Sequence, residues 1–136
     1  MNSPLQKYAL TIGRYGCYFL CLIKIAERKT GNSIDLLSAF EYSLKQGWIT
    51  EDCFVNYPQC IIKHFTNINY VCVIKELDLS YKPKPTDVLV GCYVYNKSSH
   101  FVLLSSDKKL LWDPLGESNT YKLGKLDSYR VIRMVV

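Results

Sequence analysis

The sequence lacks three features that would assign it to a common class of protein. No apolar run is long enough to span a bilayer, because Lys24 ends the run that begins at Tyr15. No two of the six cysteines form a Cys-x-x-Cys pair, and their spacing matches no zinc site. Basic residues are scattered along the chain instead of clustered, although the net charge is +5. These absences predict a protein that lies outside membranes and binds neither nucleic acid nor a metal ion.

The N-terminal region also lacks the marks of an export signal. Arg14 stands three residues before Cys17, where a lipoprotein-type cleavage site would need apolar or small residues. A cytoplasmic location is therefore expected, with the cysteines present as reduced thiols. Nothing in the sequence implies an organic cofactor, and the oligomeric state stays open.

The first half of the chain has the pattern of helices. Residues 1–15 are expected to be irregular, and the segment 16–29 is apolar on every side for two turns, which is typical of a buried helix. Asn32 or Ser33 is expected to cap a second helix, which ends before Gly47 and has Asp35 in its first turn. Pro58 suits the first turn of a third helix.

The second half has the pattern of a sheet. β-Branched and aromatic segments bounded by turn residues predict five strands, at 68–77, 87–95, 100–105, 109–113 and 128–136. Helices followed by an antiparallel sheet make an α+β fold, and the length suits one domain over residues 1–136.

Cys17 is a candidate nucleophile because of its position. It follows Gly16 at the predicted start of the buried helix, where unpaired backbone N–H groups and the helix dipole favour a thiolate. The alternative interpretation is that Cys17 is one more cysteine of the apolar core.

His100 and Asp113 are candidate partners because a hairpin would bring them together. If residues 100–113 turn at Ser106 and Asp107, His100 falls opposite Asp113, and Phe101 falls opposite Trp112. Directly opposed residues have Cβ atoms about 4.5–5.5 Å apart, which suits a carboxylate that orients an imidazole. Taken singly, each residue has an ordinary structural alternative, as a strand-start residue and as a turn residue before Pro114.

Short motifs around these residues resemble those of known proteins. His-Phe-Val-Leu-Leu at 100–104, followed by Leu-Trp-Asp-Pro at 111–114, resembles the His and Asp motif of papain-like cysteine peptidases, closest to the bacteriocin-leader-processing type. Gly-Cys-Tyr-Phe-Leu at 16–20 resembles their nucleophile helix. Through residues 15–19 and 47–55, the chain also resembles a small uncharacterised family of spirochaete plasmid and phage proteins.

The papain-like resemblance implies a fold and a reaction. It implies a papain-like domain in which Cys17, His100 and Asp113 form a catalytic triad that cleaves an amide bond of a peptide or protein substrate. Such enzymes usually carry a glutamine, which binds the oxyanion, about six residues before the nucleophile; that position is Thr11 here. Arg14 and Gln6 are the candidate replacements, together with the backbone N–H of Cys17.

Two alternatives remain open at the level of the sequence. Cys60 and His64 stand four residues apart on the third predicted helix, which is the spacing of half a metal site or of a second nucleophile–base pair. The whole chain could also be a catalytically silent papain-like scaffold that binds a protein or peptide partner, since a fold does not determine a function.

Overall fold

The computed structural model describes residues 4–116 and 118–135, apart from the side chains of Pro4, Leu5 and Arg14. The chain divides between Asn67 and Ile68 into two compact units. The first unit is helical and the second contains a five-stranded antiparallel sheet, so the predicted α+β arrangement is confirmed.

The described part of the first unit contains four helices: α1 (Pro4–Tyr15), α2 (Cys17–Thr30), α3 (Leu36–Lys45) and α4 (Pro58–Thr66). Helix α2 packs on both α1 and α4, and α1 also packs on α3. As expected from its apolar first turns, α2 has six buried residues: Phe19, Cys21, Leu22, Ile23, Ile25 and Ala26. Phe19 meets Phe40 of α3 edge-on, with ring centroids 6.1 Å apart, so aromatic packing joins these helices.

The expectation of an irregular N-terminus was wrong for the described residues, because Pro4–Tyr15 form helix α1. Tyr8 and Thr11 are half-buried and Ile12 is buried, and the spacing of three and four places these residues on one helical face. The ring of Tyr8 lies 5.0 Å from that of Phe40. Packing against α3 therefore stabilises helix α1, which the sequence analysis did not predict.

Helix α3 differs from the prediction in its cap. Asp35 is the N-cap residue, and its carboxylate accepts a hydrogen bond from the N–H of Ser38 at 3.0 Å. The caps expected at Asn32 and Ser33 were therefore placed too early, because both residues are exposed and lie outside any helix. The third predicted helix is α4 in the structure, and it begins at Pro58 as predicted.

The second unit consists of β1 (Tyr70–Glu76), β2 (Asp87–Tyr95), β3 (Ser98–Leu104), β4 (Leu110–Trp112), α5 (Asn119–Leu123) and β5 (Lys125–Val135). The strand order is β1-β5-β2-β3-β4, and every neighbouring pair is antiparallel. All five predicted strands are present. The short helix α5 was not predicted.

The hairpin between β2 and β3 sets the position of His100. Asn96 and Lys97 both have positive φ angles, 48° and 67°, which is the geometry of a two-residue type I′ turn. Strand β3 therefore begins at Ser98, and His100 lies inside the strand instead of at its start as predicted. One face of this sheet buries Leu89, Val102, Leu104, Tyr129 and Val131.

Among the described residues, no single helix is long and apolar enough to cross a membrane. The two segments Gln6–Gly13 and Cys17–Thr30 reach the length and composition of a span only together, and they are bent by 96°.

Candidate functional site

The second unit contains a buried, hydrogen-bonded pair formed by His100 and Asp113. His100 Nε2 lies 2.7 Å from Asp113 Oδ1, and the two residues are 4% and 5% exposed. The prediction that the hairpin brings these residues into contact is therefore confirmed. A buried imidazole held by a carboxylate is the arrangement that orients a general acid or base.

The register that produces this contact is not the predicted one. Leu103 pairs with Trp112 and Leu104 pairs with Leu110, whereas the prediction placed Phe101 opposite Trp112. Continuing the observed register would set Asp113 opposite Val102, which is two residues from His100 and therefore on the same face of the sheet.

Two one-residue irregularities in the hairpin explain why His100 and Asp113 are in contact although the predicted register was wrong. The turn contains three residues and not two, and it ends at Lys108, whose φ of 65° is left-handed. One residue of β4, Leu111, is then extra, because β4 advances by two residues where β3 advances by one. Each irregularity shifts the pairing by one residue, so their sum preserves the face on which Asp113 lies.

The turn that follows β4 fixes the backbone of Asp113. Asp113, Pro114, Leu115 and Gly116 form a β-turn, in which the N–H of Gly116 donates to the carbonyl oxygen of Asp113 at 2.9 Å. Aspartate, proline and glycine occupy the positions that this kind of turn favours, and Gly116 has a φ of 79°. The sequence therefore specifies the local geometry of Asp113 strongly.

Four donors hold the Asp113 carboxylate. Oδ1 accepts from His100 Nε2 and from the N–H of Leu115 at 2.9 Å, while Oδ2 accepts from the N–H of Ser118 at 3.1 Å and from its hydroxyl at 2.8 Å. Burial by itself raises the pKa of this carboxyl. The hydrogen bonds from His100, Leu115 and Ser118 outweigh burial, so the pKa of Asp113 is lowered below its ordinary value.

The ionised carboxylate determines which tautomer His100 adopts. Because a carboxylate only accepts hydrogen bonds, Nε2 must carry the proton that it shares with Asp113. In the neutral imidazole the other nitrogen, Nδ1, is then the basic atom.

Ser118 is the residue of this site that the sequence analysis missed. It is 6% exposed, and it is also the N-cap of α5, because its Oγ accepts from the N–H of Tyr121 at 3.2 Å. A serine directly before a short helical segment is an N-cap signal, and it could have revealed α5. Its contact with Asp113 carries no sequence signal, because it depends on how the turn after β4 returns the chain.

Tyrosine rings lie beside the pair. Tyr93 is the cross-strand partner of His100, and its ring meets that of Tyr121 at 4.8 Å in an edge-on arrangement. Burial, together with the neighbouring Tyr121 and Tyr129 hydroxyls, raises the pKa of Tyr93 to about 12. This hydroxyl therefore keeps its proton at physiological pH.

Cys17 is the first residue of α2 in the first unit, as the sequence predicted, and it is half-buried. Gly16 precedes it at a close turn, where a Cβ atom would lie 2.5 Å from the carbonyl oxygen of Ile12. The N–H of Cys17 belongs to the first helical turn, whose N–H groups have no acceptor within the helix. Cys17 thus combines a partly accessible thiol with a backbone donor.

Cys53 is distinguished from Cys17 by its surroundings. Burial, with a smaller contribution from the Cys17 thiol, raises the pKa of Cys53 to about 12. The Cys53 thiol therefore remains protonated at neutral pH and is a poor nucleophile. In the described chain all six cysteines are outside disulfides.

The two side chains considered as oxyanion donors, Gln6 and Arg14, both belong to α1, as does Thr11 at the position of the usual glutamine. Gln6 is exposed and Thr11 is half-buried. The side chain of Arg14 falls outside the described residues, so the prediction for Arg14 stays a prediction.

The alternative pair Cys60 and His64 lies on α4. The imidazole of His64, an exposed residue, packs against three aromatic rings, with centroids at 4.4 Å for Tyr42, 5.6 Å for Trp48 and 4.8 Å for Phe65. Across the described residues, no group of three or more His, Cys, Asp or Glu side chains could hold a metal ion. Ring packing thus accounts for the position of His64.

Asp113→Asn should shift the titration of the His100 ring to lower pH, because the imidazolium would lose its anionic partner. Two-dimensional ¹H–¹⁵N NMR of the histidine rings measures both histidines at once, and the exposed His64 in the first unit is an internal reference. Identical His100 titrations in the two proteins would contradict the contact between His100 and Asp113.

The structure thus brings together two of the three predicted triad residues, His100 and Asp113, in the second unit, and it places Cys17 at a helix start in the first. No curated protein and no solved structure proved similar to the chain. A family match covers residues 4–134, in agreement with the expected uncharacterised family. The chain therefore belongs to the family described as "Protein of unknown function, DUF261".

Proposed function

We propose that this protein is a papain-like thiol hydrolase that cleaves an amide bond of a peptide or protein, with Cys17 as nucleophile and His100 as acid and base. The observation that carries the proposal is the buried pair of His100 and Asp113, in which the lowered pKa of the carboxyl fixes the imidazole tautomer. The position of Cys17 at the start of α2 supports its role.

The reaction proceeds in two halves. The Cys17 thiolate attacks the carbonyl carbon and forms a C–S bond, while the carbonyl electron pair moves to oxygen. As the C–N bond breaks, the His100 imidazolium donates its Nδ1 proton to the leaving nitrogen, which departs as the amine and leaves a thioester. His100 then takes a proton from water, the hydroxide attacks the thioester, and the carboxylic acid is released as the C–S bond breaks.

The roles of the remaining groups follow from this scheme. Asp113 keeps the proton on Nε2 and stabilises the imidazolium, and it stays ionised throughout. The N–H of Cys17 donates to the oxyanion, with Arg14 or Gln6 as the second donor in place of the usual glutamine. The reaction needs a reduced thiol, which the cytoplasm supplies.

An activated ester tests the proposal. Incubation with p-nitrophenyl acetate at pH 6 should add one acetyl group to Cys17, seen as a mass increase and located by peptide mapping. Cys17→Ala should abolish this acylation, whereas Cys60→Ala, which removes another half-buried thiol, should leave it unchanged.

Acylation that is spread evenly over the half-buried cysteines would contradict the assignment of Cys17. If a panel of activated esters and peptides produces no acyl-enzyme in the folded protein, the silent scaffold that binds a peptide or protein becomes the better interpretation.

A further inference from the structure

Ser118 contacts Asp113 through two groups at once. Its hydroxyl donates to Oδ2 at 2.8 Å and its backbone N–H donates to the same oxygen at 3.1 Å. The other carboxylate oxygen is taken by His100 and by the N–H of Leu115. With two donors on each oxygen, rotation of the carboxylate about its bond to Cβ would break hydrogen bonds on both sides.

Ser118 is itself held by helix α5. Its Oγ accepts from the N–H of Tyr121, so one of its lone pairs is directed toward the helix. The hydroxyl hydrogen is thereby left to point at Asp113. The same serine therefore caps a helix and donates to the carboxylate, and both groups are buried.

We propose that Ser118 is a positioning residue, the third member of a Ser118–Asp113–His100 chain, which holds the Asp113 carboxylate in the orientation that accepts the hydrogen bond from His100 Nε2. The catalytic role in this inference rests on the proposed function. The hydrogen-bonded chain itself belongs wholly to the second unit. Ser118 touches neither thiol nor substrate in this scheme, and it acts only through Asp113.

A direct titration of the Asp113 carboxyl carbon by ¹³C NMR tests the role of the hydroxyl. In Ser118→Ala the pKa of Asp113 should rise, because one of the donors that lower it is lost. Ser118→Thr keeps a hydroxyl and should restore the low value. Loss of the helix cap alone would change stability at every pH and leave the carboxyl titration where it was.

A second variant distinguishes the effect of the Ser118 hydroxyl from the effect of a weakened helix α5. Leu123→Gly weakens the last residue of α5 at a site that is 62% exposed, and it leaves Ser118 in place. This variant should keep the Asp113 titration of the parent protein. Ser98→Ala removes an exposed hydroxyl from the strand that carries His100, and it should also have no effect.

The rate of Cys17 acylation by p-nitrophenyl acetate supplies the functional measurement. Ser118→Ala should slow it about tenfold, the factor that corresponds to one hydrogen bond to a charged group, and Ser118→Thr should restore most of the rate. An unchanged Asp113 titration in Ser118→Ala would overturn the positioning role, whatever Cys17 does. A shifted titration without any acylation of Cys17 would instead overturn the proposed function and leave the positioning role standing.

Discussion

His100→Ala should slow the acylation of Cys17 by p-nitrophenyl acetate at pH 6 by between about 10² and 10⁴, the usual contribution of a general acid or base. At this pH an isolated thiol is almost entirely protonated, so its reaction depends on a base that accepts the proton. The buried imidazole, with its tautomer fixed by Asp113, is the group suited to this task.

The second histidine of the chain provides the matched control for that experiment. His64 is exposed and packs among aromatic rings of the first unit, so His64→Ala should leave the acylation rate unchanged. Circular dichroism and thermal unfolding would show that both variants fold. Equal rates in the parent protein and in a folded His100→Ala variant would remove His100 from the mechanism.

Asp87→Asn should lower the free energy of unfolding by about 2–3 kcal/mol at pH 7, since hydrogen bonds to a buried charge are among the strongest in proteins. The Asp87 side chain is fully covered, and its Oδ1 accepts from Arg133 Nε at 2.8 Å. Its Oδ2 accepts from the Tyr81 hydroxyl at 2.6 Å and from the N–H of Lys84 at 2.9 Å. An asparagine amide would direct a donor at groups that already donate.

The effect should depend on pH in a definite direction. Burial raises the pKa of Asp87, but the hydrogen bonds from Arg133, Tyr81 and Lys84 outweigh it and lower the pKa in the folded protein. Its stabilisation is therefore complete above the pKa of the unfolded chain, about 3.9, and is lost as the pH falls through the folded value.

Urea unfolding at pH 7 and at pH 3 measures this difference. The gap between the parent protein and Asp87→Asn should shrink at the lower pH. Asp127→Asn changes an exposed carboxyl of β5 and should leave stability within about 0.5 kcal/mol at both values. A gap of the same size at both pH values would show that Asp87 acts through packing instead of charge.

Much of the site could be predicted from the sequence because local signals specified it. Gly16 and the apolar turns after it located the start of α2 at Cys17. The spacing of His100 and Asp113 across a turn predicted their contact. These features depend on residues that are near one another in the chain, where turn and capping preferences are strong.

The parts that were missed depend on packing between distant residues. Helix α1 is a short segment, and its half-buried Tyr8 packs on Phe40, which lies 32 positions later. Ser118 joins the site only because the turn after β4 returns the chain to Asp113. No periodicity or propensity reports contacts of this kind, since they depend on tertiary structure.

The hairpin between His100 and Asp113 also restricts how this segment can change during evolution. Its three-residue turn and the extra residue Leu111 each shift the pairing by one, and together they keep Asp113 on the face of His100. Deleting one residue of the turn, or Leu111, without the other change would move the Asp113 carboxylate to the opposite face of the sheet. Insertions and deletions between these two positions should therefore be accepted in family members only as compensating pairs. The number of residues between His100 and Asp113 can then vary among them, but it should stay even.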